Sequence, residues 1–178
     1  MEAHFNTSLT LQGSIIAIGA FDGVHQGHQE IIKQVVKRSK AHNVPSLVYT
    51  FDPPPRVYFQ GAKMLTPIDE KLAKLEKLGI DHVMVASFNE LYAKRTASHF
   101  ITLLAKLNPI EILVGDDFRF GKNRAGDVNL LERYFKVALA QPVCCPMGTR
   151  ISSSRIRQLI ASGNLNLSNT LLGWPERE

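Results

Sequence analysis

The chain has 178 residues, enough for one ordinary domain with a hydrophobic core. Its hydrophobic content of 44% and charged content of 21% are close to globular averages and argue against a disordered chain. The net charge of +5 suits anionic ligands, but it is not concentrated in a basic stripe of the kind that binds nucleic acid. We therefore expect a single domain over residues 1–178 without a nucleic-acid partner.

Two absences in the sequence indicate where the protein works. It contains no apolar run of 18 residues, and its first residues lack the pattern of a signal peptide, so we expect no membrane partner. The two cysteines, Cys144 and Cys145, are adjacent and form neither a disulfide framework nor a spaced zinc set. These features favour a reducing cytoplasm. Nothing in the sequence indicates an oligomeric state.

Apolar runs and amphipathic stretches alternate along the chain. After a mixed segment, in which residues 9–11 are a candidate short strand, apolar runs predict five strands at residues 14–18, 46–51, 82–86, 111–115 and 141–145. Helical periodicity predicts helices at residues 26–42, 67–78, 97–107, 127–137, 151–163 and 167–172. This alternation predicts an α/β fold: a Rossmann-like, doubly wound parallel sheet of five strands in a three-layer α/β/α arrangement.

The loop after the first of these strands carries two histidines where a helix begins. His25 and His28 are three residues apart, so both imidazoles can lie on one side of the first helical turn. The free N–H groups and positive dipole of that turn attract anions, phosphate above all. Zinc binding and simple helix capping are the alternatives, although no third zinc ligand stands at a motif spacing nearby. The strand–glycine loop–helix context favours a nucleoside triphosphate site, but not one of the P-loop or Gly-x-Gly-x-x-Gly type.

A second anion-binding pattern occupies residues 151–157. Ser152, Ser153 and Ser154 precede Arg155 and Arg157, and hydroxyls at a helix start together with guanidinium groups can hold phosphate oxygens. Alone, this pattern is equally well explained as a capped helix. Combined with the histidine site, it predicts the opposite wall of a triphosphate cleft.

Two loops and one aromatic residue complete the chain. The prolines at residues 53–55 predict a stiff wall after the second strand. The loop at residues 116–127, with three acids and three bases, either clamps a second substrate, helps to place Mg²⁺, or is a solvated loop with internal ion pairs. We predict no role for Trp174.

Six segments resemble, in the same order, motifs of the bacterial FAD synthetase family. They are residues 19–29 (GAFDGVHQGHQ), 51–55 (FDPPP), 65–71 (LTP followed by Glu70 and Lys71), 114–127 (VGDDFRFG followed by Gly126 and Asp127), 151–157 (ISSSRIR) and 171–175 (LLGWP). The resemblance is to the adenylyltransferase module, within the nucleotidyltransferases that carry a His-x-Gly-His motif, and it implies the fold of that superfamily.

The resemblance implies a function and a set of site residues. The enzyme would transfer AMP from ATP to FMN, giving FAD and pyrophosphate, with Mg²⁺ as the cofactor that accompanies ATP. The implied catalytic residues, which hold the phosphates and stabilise charge at the α-phosphorus, are His25, His28, Ser153 and Arg157. The implied remainder of the ATP pocket is Gly19, Phe21, Asp22, Gly27 and Ser154. The positions that match the FMN side are Pro53, Pro55, Asp117 and Arg150. No metal ligand is implied.

The chain departs from the family pattern at two positions near the substrates. Ala20 stands where the family often has Asn, and Pro54 stands where it often has His. A related nucleotidyltransferase with another phosphorylated acceptor, or a catalytically weak flavin- or nucleotide-binding module, therefore remains an alternative. The Pro-Thr-Ala-Asn motif of the riboflavin kinase module is absent from the sequence, so we expect this chain not to phosphorylate riboflavin.

Overall fold

The computed structural model describes residues 1–5 and 9–174. The strands are β1 (Glu2–Phe5), β2 (Ser14–Ile18), β3 (Ser46–Asp52), β4 (His82–Ser87), β5 (Pro109–Val114), β6 (Arg119–Phe120), β7 (Gly126–Asp127) and β8 (Val137–Leu139). The helices are α1 (Gln26–His42), α2 (Pro55–Gln60), α3 (Ile68–Lys77), α4 (Glu90–Ala93), α5 (Ala97–Ala105), α6 (Val128–Glu132), α7 (Ser153–Ala161) and α8 (Leu165–Leu172).

Six strands form one parallel sheet in the order β1-β4-β3-β2-β5-β8. The chain winds outward from β2 in two directions, because β3 lies on one side of it and β5 on the other. Ligands of doubly wound folds bind at this switch point, beyond the carboxyl ends of the strands. The predicted fold is confirmed, with six strands in the sheet in place of five.

The two faces of β2 contribute to two halves of the core. Ile16 and Ile18 pack in one cluster with side chains of α5 and α6, whereas Ile15 and Ala17 pack in another with side chains of α1 and α3. A strand covered on both faces is a continuous apolar run and does not alternate, as the sequence of β2 shows. Helices therefore cover both faces of the sheet, as predicted.

Most helix predictions are confirmed. Helix α1 has the predicted bounds and is followed by Asn43 in the left-handed conformation, whose N–H bonds to the last turn. The bounds of α3, α5, α7 and α8 differ from the prediction by one or two residues at their ends, the usual uncertainty for helix termini.

Two strand predictions are wrong. Residues 9–11 form no strand, and the additional strand is β1, at the edge of the sheet beside β4. Its mostly exposed side chains provide no alternating apolar pattern. The last strand of the sheet is Val137–Leu139, not residues 141–145, because α6 ends at Glu132 and frees the following residues to pair with β5.

Two residue predictions also need correction. The sequence predicts Thr66 as the cap of α3, but Pro67 holds the cap position and Thr66 is buried. The apolar run at residues 141–145 predicts Cys144 as a core residue, but Cys145 is buried and Cys144 is exposed.

Helices α7 and α8 form a third apolar cluster with the segment before them. Its buried members are Cys145, Ile151, Ile156 and Leu171. The LLGWP motif at residues 171–175 begins with Leu171 of this cluster, and its Pro175 lies outside the described residues. In residues 1–5 and 9–174, no helix has the length and apolarity needed to cross a bilayer.

Candidate active site

The loop between β2 and α1 has a strained backbone. Phe21 and Val24 have φ angles of 47° and 43°, in the left-handed region that bulky and β-branched residues avoid. The Val24 carbonyl accepts hydrogen bonds from Gln29 Nε2 at 2.9 Å and from Trp174 Nε1 at 2.8 Å. These bonds fix the strained turn at the switch point of the sheet. Trp174, for which the sequence predicts no role, therefore has a structural one.

His25 and His28 lie against each other at the start of α1. Their rings stack with centroids 3.6 Å and planes 16° apart. His25 caps the helix, because its Nδ1 accepts the His28 N–H at 3.3 Å. Gly27 makes room for this packing, since a Cβ there would lie 3.2 Å from the His25 ring. The buried Nδ1 of His28 has no hydrogen-bond partner within residues 1–5 and 9–174, and such an atom is typical of a ligand-binding site.

Both imidazoles are neutral at pH 7. Burial, aided by the charge of Arg150 and opposed by a backbone hydrogen bond, lowers the pKa of His25 to about 4. Burial also lowers the pKa of His28 well below its usual value, and His25 and Lys71 act in the same direction. A neutral imidazole can donate one N–H to a phosphate oxygen. The pair therefore suits an anion through hydrogen bonds and not through permanent charge.

Asp22 joins the histidine loop to two other segments. Its Oδ1 accepts the backbone N–H groups of Leu65 at 3.0 Å and Thr66 at 3.1 Å. Its Oδ2 is paired with the guanidinium of Arg157 on α7, and its carbonyl accepts the Ser153 hydroxyl at 2.8 Å. The two anion-binding patterns of the sequence therefore meet at one buried residue.

The residues of the serine–arginine segment (residues 151–157) have different contacts. Ser152 caps α7 by accepting the Arg155 N–H at 3.3 Å, and the Arg155 side chain donates to Cys145 Sγ at 3.3 Å. Ser154 accepts a hydrogen bond from Arg56 on α2. Ser153, Ser154 and Arg157 are thus the residues of this segment that contact the other loops of the site.

The segments predicted to face FMN approach the same region from two directions. Pro53 follows β3, and Pro55 begins α2, whose Arg56 reaches α7. On the other side, Arg150 pairs with Asp116 in the loop after β5, with 3.4 Å between nitrogen and oxygen. This ion pair joins the 116–127 loop to the segment before α7 and is not internal to the loop, so it does not support the interpretation as a loop with internal ion pairs.

The remaining predicted site residues occupy the edges of this region. Asp117 is exposed beside Asp116, and its Oδ1 would lie 3.1 Å from a Cβ placed on Gly115. Gly19 follows β2 and leaves room for the Phe21 ring, which a Cβ at Gly19 would approach to 3.2 Å.

Lys71 is a site residue to which sequence reasoning assigned no role. Its side chain is 1% exposed, and its Nζ donates to the Ala20 carbonyl at 2.9 Å, the Phe51 carbonyl at 3.3 Å and the Thr50 hydroxyl at 3.4 Å. Burial lowers the pKa of this amine to about 8, although the carboxylates of Asp22 and Asp52 oppose the shift. Lys71 therefore ties the turn after β2 to the end of β3.

The sequence contained a signal for Lys71 but not for Arg56. Lys71 stands four residues before Leu75 on α3, the spacing that places two side chains on one helix face, and Leu75 is fully buried. The position of Lys71 on the apolar face of α3 could therefore be predicted from the periodicity. Arg56 follows three prolines without any periodicity, and its contact spans 98 positions of sequence.

The zinc alternative for the histidine pair gains no support. Within the part of the chain that the structure describes, Glu2, His4 and His82 are the one group of three potential ligands that lie together. Glu2 and His82 begin β1 and β4 and His4 is two residues further along β1, whereas the histidine loop is at the carboxyl end of β2.

Fold and site together define a class: a doubly wound α/β protein in which a histidine loop and a serine–arginine segment meet at the switch point of the sheet. The FAD synthetase family profile matches residues 7–155. The chain is 56% identical over 170 residues to "Putative bifunctional riboflavin kinase/FMN adenylyltransferase" of Geobacillus thermodenitrificans, covering 96% of this chain and 95% of that one. The chain belongs to the FAD synthetase family.

Two further comparisons agree with this membership. The chain is 39% identical over 174 residues to the bifunctional riboflavin kinase/FMN adenylyltransferase of Escherichia coli, covering 92% of this chain but 55% of that protein. A crystal structure of a Streptococcus pneumoniae protein, described as a macrolide-efflux protein, superposes with a TM-score of 0.83 at 28% identity. It covers 97% of this chain and 60% of that one, and it supports the fold.

The buried histidines predict that the free energy of unfolding falls on acidification. His25 stays neutral in the folded protein down to its pKa of about 4, while an unfolded histidine takes up a proton near pH 6.5. The unfolded state therefore binds more protons between about pH 6.5 and pH 4, so stability is lost as the pH falls through that window. His25 alone contributes a slope of up to about 1.4 kcal/mol per pH unit.

Urea unfolding followed by circular dichroism at pH 7, 6 and 5 measures this slope. We expect His25→Gln to reduce the slope and His99→Gln, which changes an exposed histidine on α5, to retain it. Equal slopes in the two variants would contradict the assignment.

Proposed function

We propose that the protein is an FMN adenylyltransferase, which transfers AMP from ATP to FMN and releases pyrophosphate in the cytoplasm. One observation carries the proposal: Ser153 and Arg157 both contact Asp22, so the serine–arginine segment and the histidine loop border one cleft. Membership of the FAD synthetase family supports ATP and FMN as the two small-molecule substrates. Neither a nucleic acid nor a membrane has a part in the reaction.

The proposed reaction is a direct in-line displacement. A phosphate oxygen of FMN attacks the α-phosphorus of ATP, a new P–O bond forms, and the bond to the β-phosphate oxygen breaks as pyrophosphate leaves. No covalent enzyme intermediate is needed. The protein has to align two anions that repel each other and stabilise the charge that develops between them.

The charges in the cleft suit this task. Arg157 keeps its positive charge while it is paired with Asp22, whereas His25 and His28 supply N–H donors without charge at pH 7. A bound triphosphate would favour the protonated form of both rings, because an opposite charge nearby raises a histidine pKa. The histidines can therefore strengthen their hydrogen bonds as negative charge accumulates at the α-phosphorus.

The acceptor side presents an aromatic surface for a flat ring. Tyr58 and Phe59, on the helix that Pro55 begins, are 41% and 66% exposed. Both rings stand edge-to-face with Phe88, at centroid distances of 5.5 and 5.6 Å. Exposed aromatic clusters usually contact a ligand or partner. This surface beside the proline wall supports a flavin as the acceptor.

Mg²⁺ is proposed as the ion that enters with ATP. Such ions are usually held by the substrate phosphates and one or two carboxylates. Asp117 is exposed on the loop after β5 and fits this requirement. Asp116 beside it would first have to give up its ion pair with Arg150, and the Asp22 carboxylate is already occupied by two N–H groups and Arg157. When bound, the ion would neutralise phosphate charge.

The decisive experiment is incubation of the protein with ATP, Mg²⁺ and FMN, with FAD measured by chromatography and pyrophosphate by a coupled assay. We expect equimolar FAD and pyrophosphate. If pyrophosphate is released only with another phosphorylated acceptor, that compound and not FMN is the substrate. Tight flavin binding without turnover would reject the enzymatic proposal.

His28→Ala tests the catalytic role of the histidine pair. We expect turnover to fall by roughly 10²-fold, the effect of losing one transition-state donor. His99→Ala is the matched control, and its turnover should be unchanged. FAD formation at the wild-type rate by His28→Ala would reject the role. Arg157→Ala is less informative, because it also leaves buried Asp22 without its partner, a change that costs about 3–5 kcal/mol in other buried pairs.

Lys71→Met tests whether the buried amine positions the site. Methionine retains an apolar stem but removes the bonds to Ala20, Thr50 and Phe51. We expect turnover to fall by about 10-fold or more, since a shift of about 1 Å in a positioning loop has effects up to 10²-fold. Lys77→Met, an exposed lysine on the same helix, is the control. Unchanged turnover in a folded Lys71→Met protein would show that the amine is dispensable.

A further inference from the structure

Three potential metal ligands gather at the edge of the sheet opposite the cleft. Glu2 and His4 are two residues apart on β1, so their side chains lie on one face of that strand. His82 begins β4 and pairs directly with Glu2 in the parallel register. The strand pairing thus places two imidazoles and one carboxylate side by side.

The distances between the ligand atoms match those around a metal ion. His4 Nε2 and His82 Nδ1 are 3.2 Å apart, and Glu2 Oε2 lies 3.7 Å from each of them. Ligands bound at about 2.0–2.2 Å to a tetrahedral zinc ion are separated by roughly 3.3–3.6 Å. Small side-chain adjustments would therefore bring all three atoms to bonding distance of one ion.

The chemistry of the donors selects the kind of ion. Two imidazoles with one carboxylate suit zinc and other divalent transition metals, whereas Mg²⁺ and Ca²⁺ prefer sets of oxygen ligands. The side chains of His4 and His82 are 20% and 19% exposed and that of Glu2 is 73% exposed, so an ion can enter from solvent.

We propose that Glu2, His4 and His82 form a binding site for a divalent transition-metal ion, Zn²⁺ above all, with water as a fourth ligand. The bound ion joins the edge strand β1 to β4, so it stabilises the fold at the amino end of the sheet. The site is independent of the proposed adenylyl transfer, whose residues lie beyond the carboxyl ends of the strands.

Binding requires a proton to move. The two facing ring nitrogens are within hydrogen-bond distance, so one of them carries a hydrogen in the contact. That hydrogen must leave to the remote nitrogen of the same ring or to solvent before both nitrogens can bind the metal. Zinc affinity should therefore fall as the pH is lowered, because protons and metal compete for the same atoms.

Isothermal titration with ZnCl₂ tests the proposal on protein without an affinity tag, after EDTA treatment and desalting. We expect one ion per chain, and a loss of affinity of at least about 10-fold in His4→Ala, His82→Ala and Glu2→Gln. His99→Ala should bind zinc like the wild type. Zinc should also raise the midpoint of thermal unfolding of the wild-type protein, and this increase should vanish in His4→Ala.

Glu2→Gln keeps the test valid should a histidine variant fold poorly, because it changes only the charge of an exposed side chain. Absence of zinc binding to the wild-type protein would overturn the proposal. Undiminished binding by the folded variants would overturn it too, since the ion would then be held elsewhere, at the His25–His28 pair or the cysteines.

Discussion

The site depends on the burial of one carboxylate. Asp22 is 2% exposed, and a charge in that position is tolerated only when it is paired and hydrogen-bonded. Its partners come from two segments distant in the sequence: the backbone before α3, and α7, where Arg157 pairs with the carboxylate and the Ser153 hydroxyl bonds to the Asp22 carbonyl. Satisfying Asp22 therefore requires these segments to be in place together. The same contacts that compensate the buried charge assemble the proposed triphosphate cleft.

Burial is the main reason why the two histidines near this carboxylate are neutral. The charge of Arg150 adds to the effect on the pKa of His25, and that of Lys71 adds to the effect on the pKa of His28. In the free protein the proposed triphosphate cleft thus combines uncharged imidazole donors with the nearby cations Arg150 and Lys71. A bound anion would raise the pKa of both imidazoles, because a negative charge nearby favours the protonated ring.

The sequence was sufficient for the parts of the fold that depend on local patterns. The apolar strand β2, the amphipathic helix α1 and the loop between them follow from periodicity and glycine placement. The position of His25 and His28 could therefore be predicted. Strand β1 could not, because an exposed edge strand has no alternating pattern, and pairing with β4 across more than 70 residues creates it. The contacts of Asp22 could not be predicted either, because they join residues that are distant in the sequence. Motif resemblance indicated which segments belong together, but not which atoms join them.

Helix α8 shows how folding energy can prepare the loop that carries the histidine pair. Val24 in the left-handed region costs of order 1–3 kcal/mol. Its carbonyl accepts two side-chain hydrogen bonds, from Gln29 and Trp174, each worth about 1 kcal/mol.

Gln26 and Gln29 also donate to the carbonyls of Thr170 at 2.9 Å and Leu172 at 2.8 Å, so α8 is bonded to the loop along its last turn. Tertiary packing at the end of the chain thereby supports a loop conformation that its own residues disfavour. A loop already fixed in this way does not have to be reorganised by the substrate, so binding energy remains for charge stabilisation in the transition state.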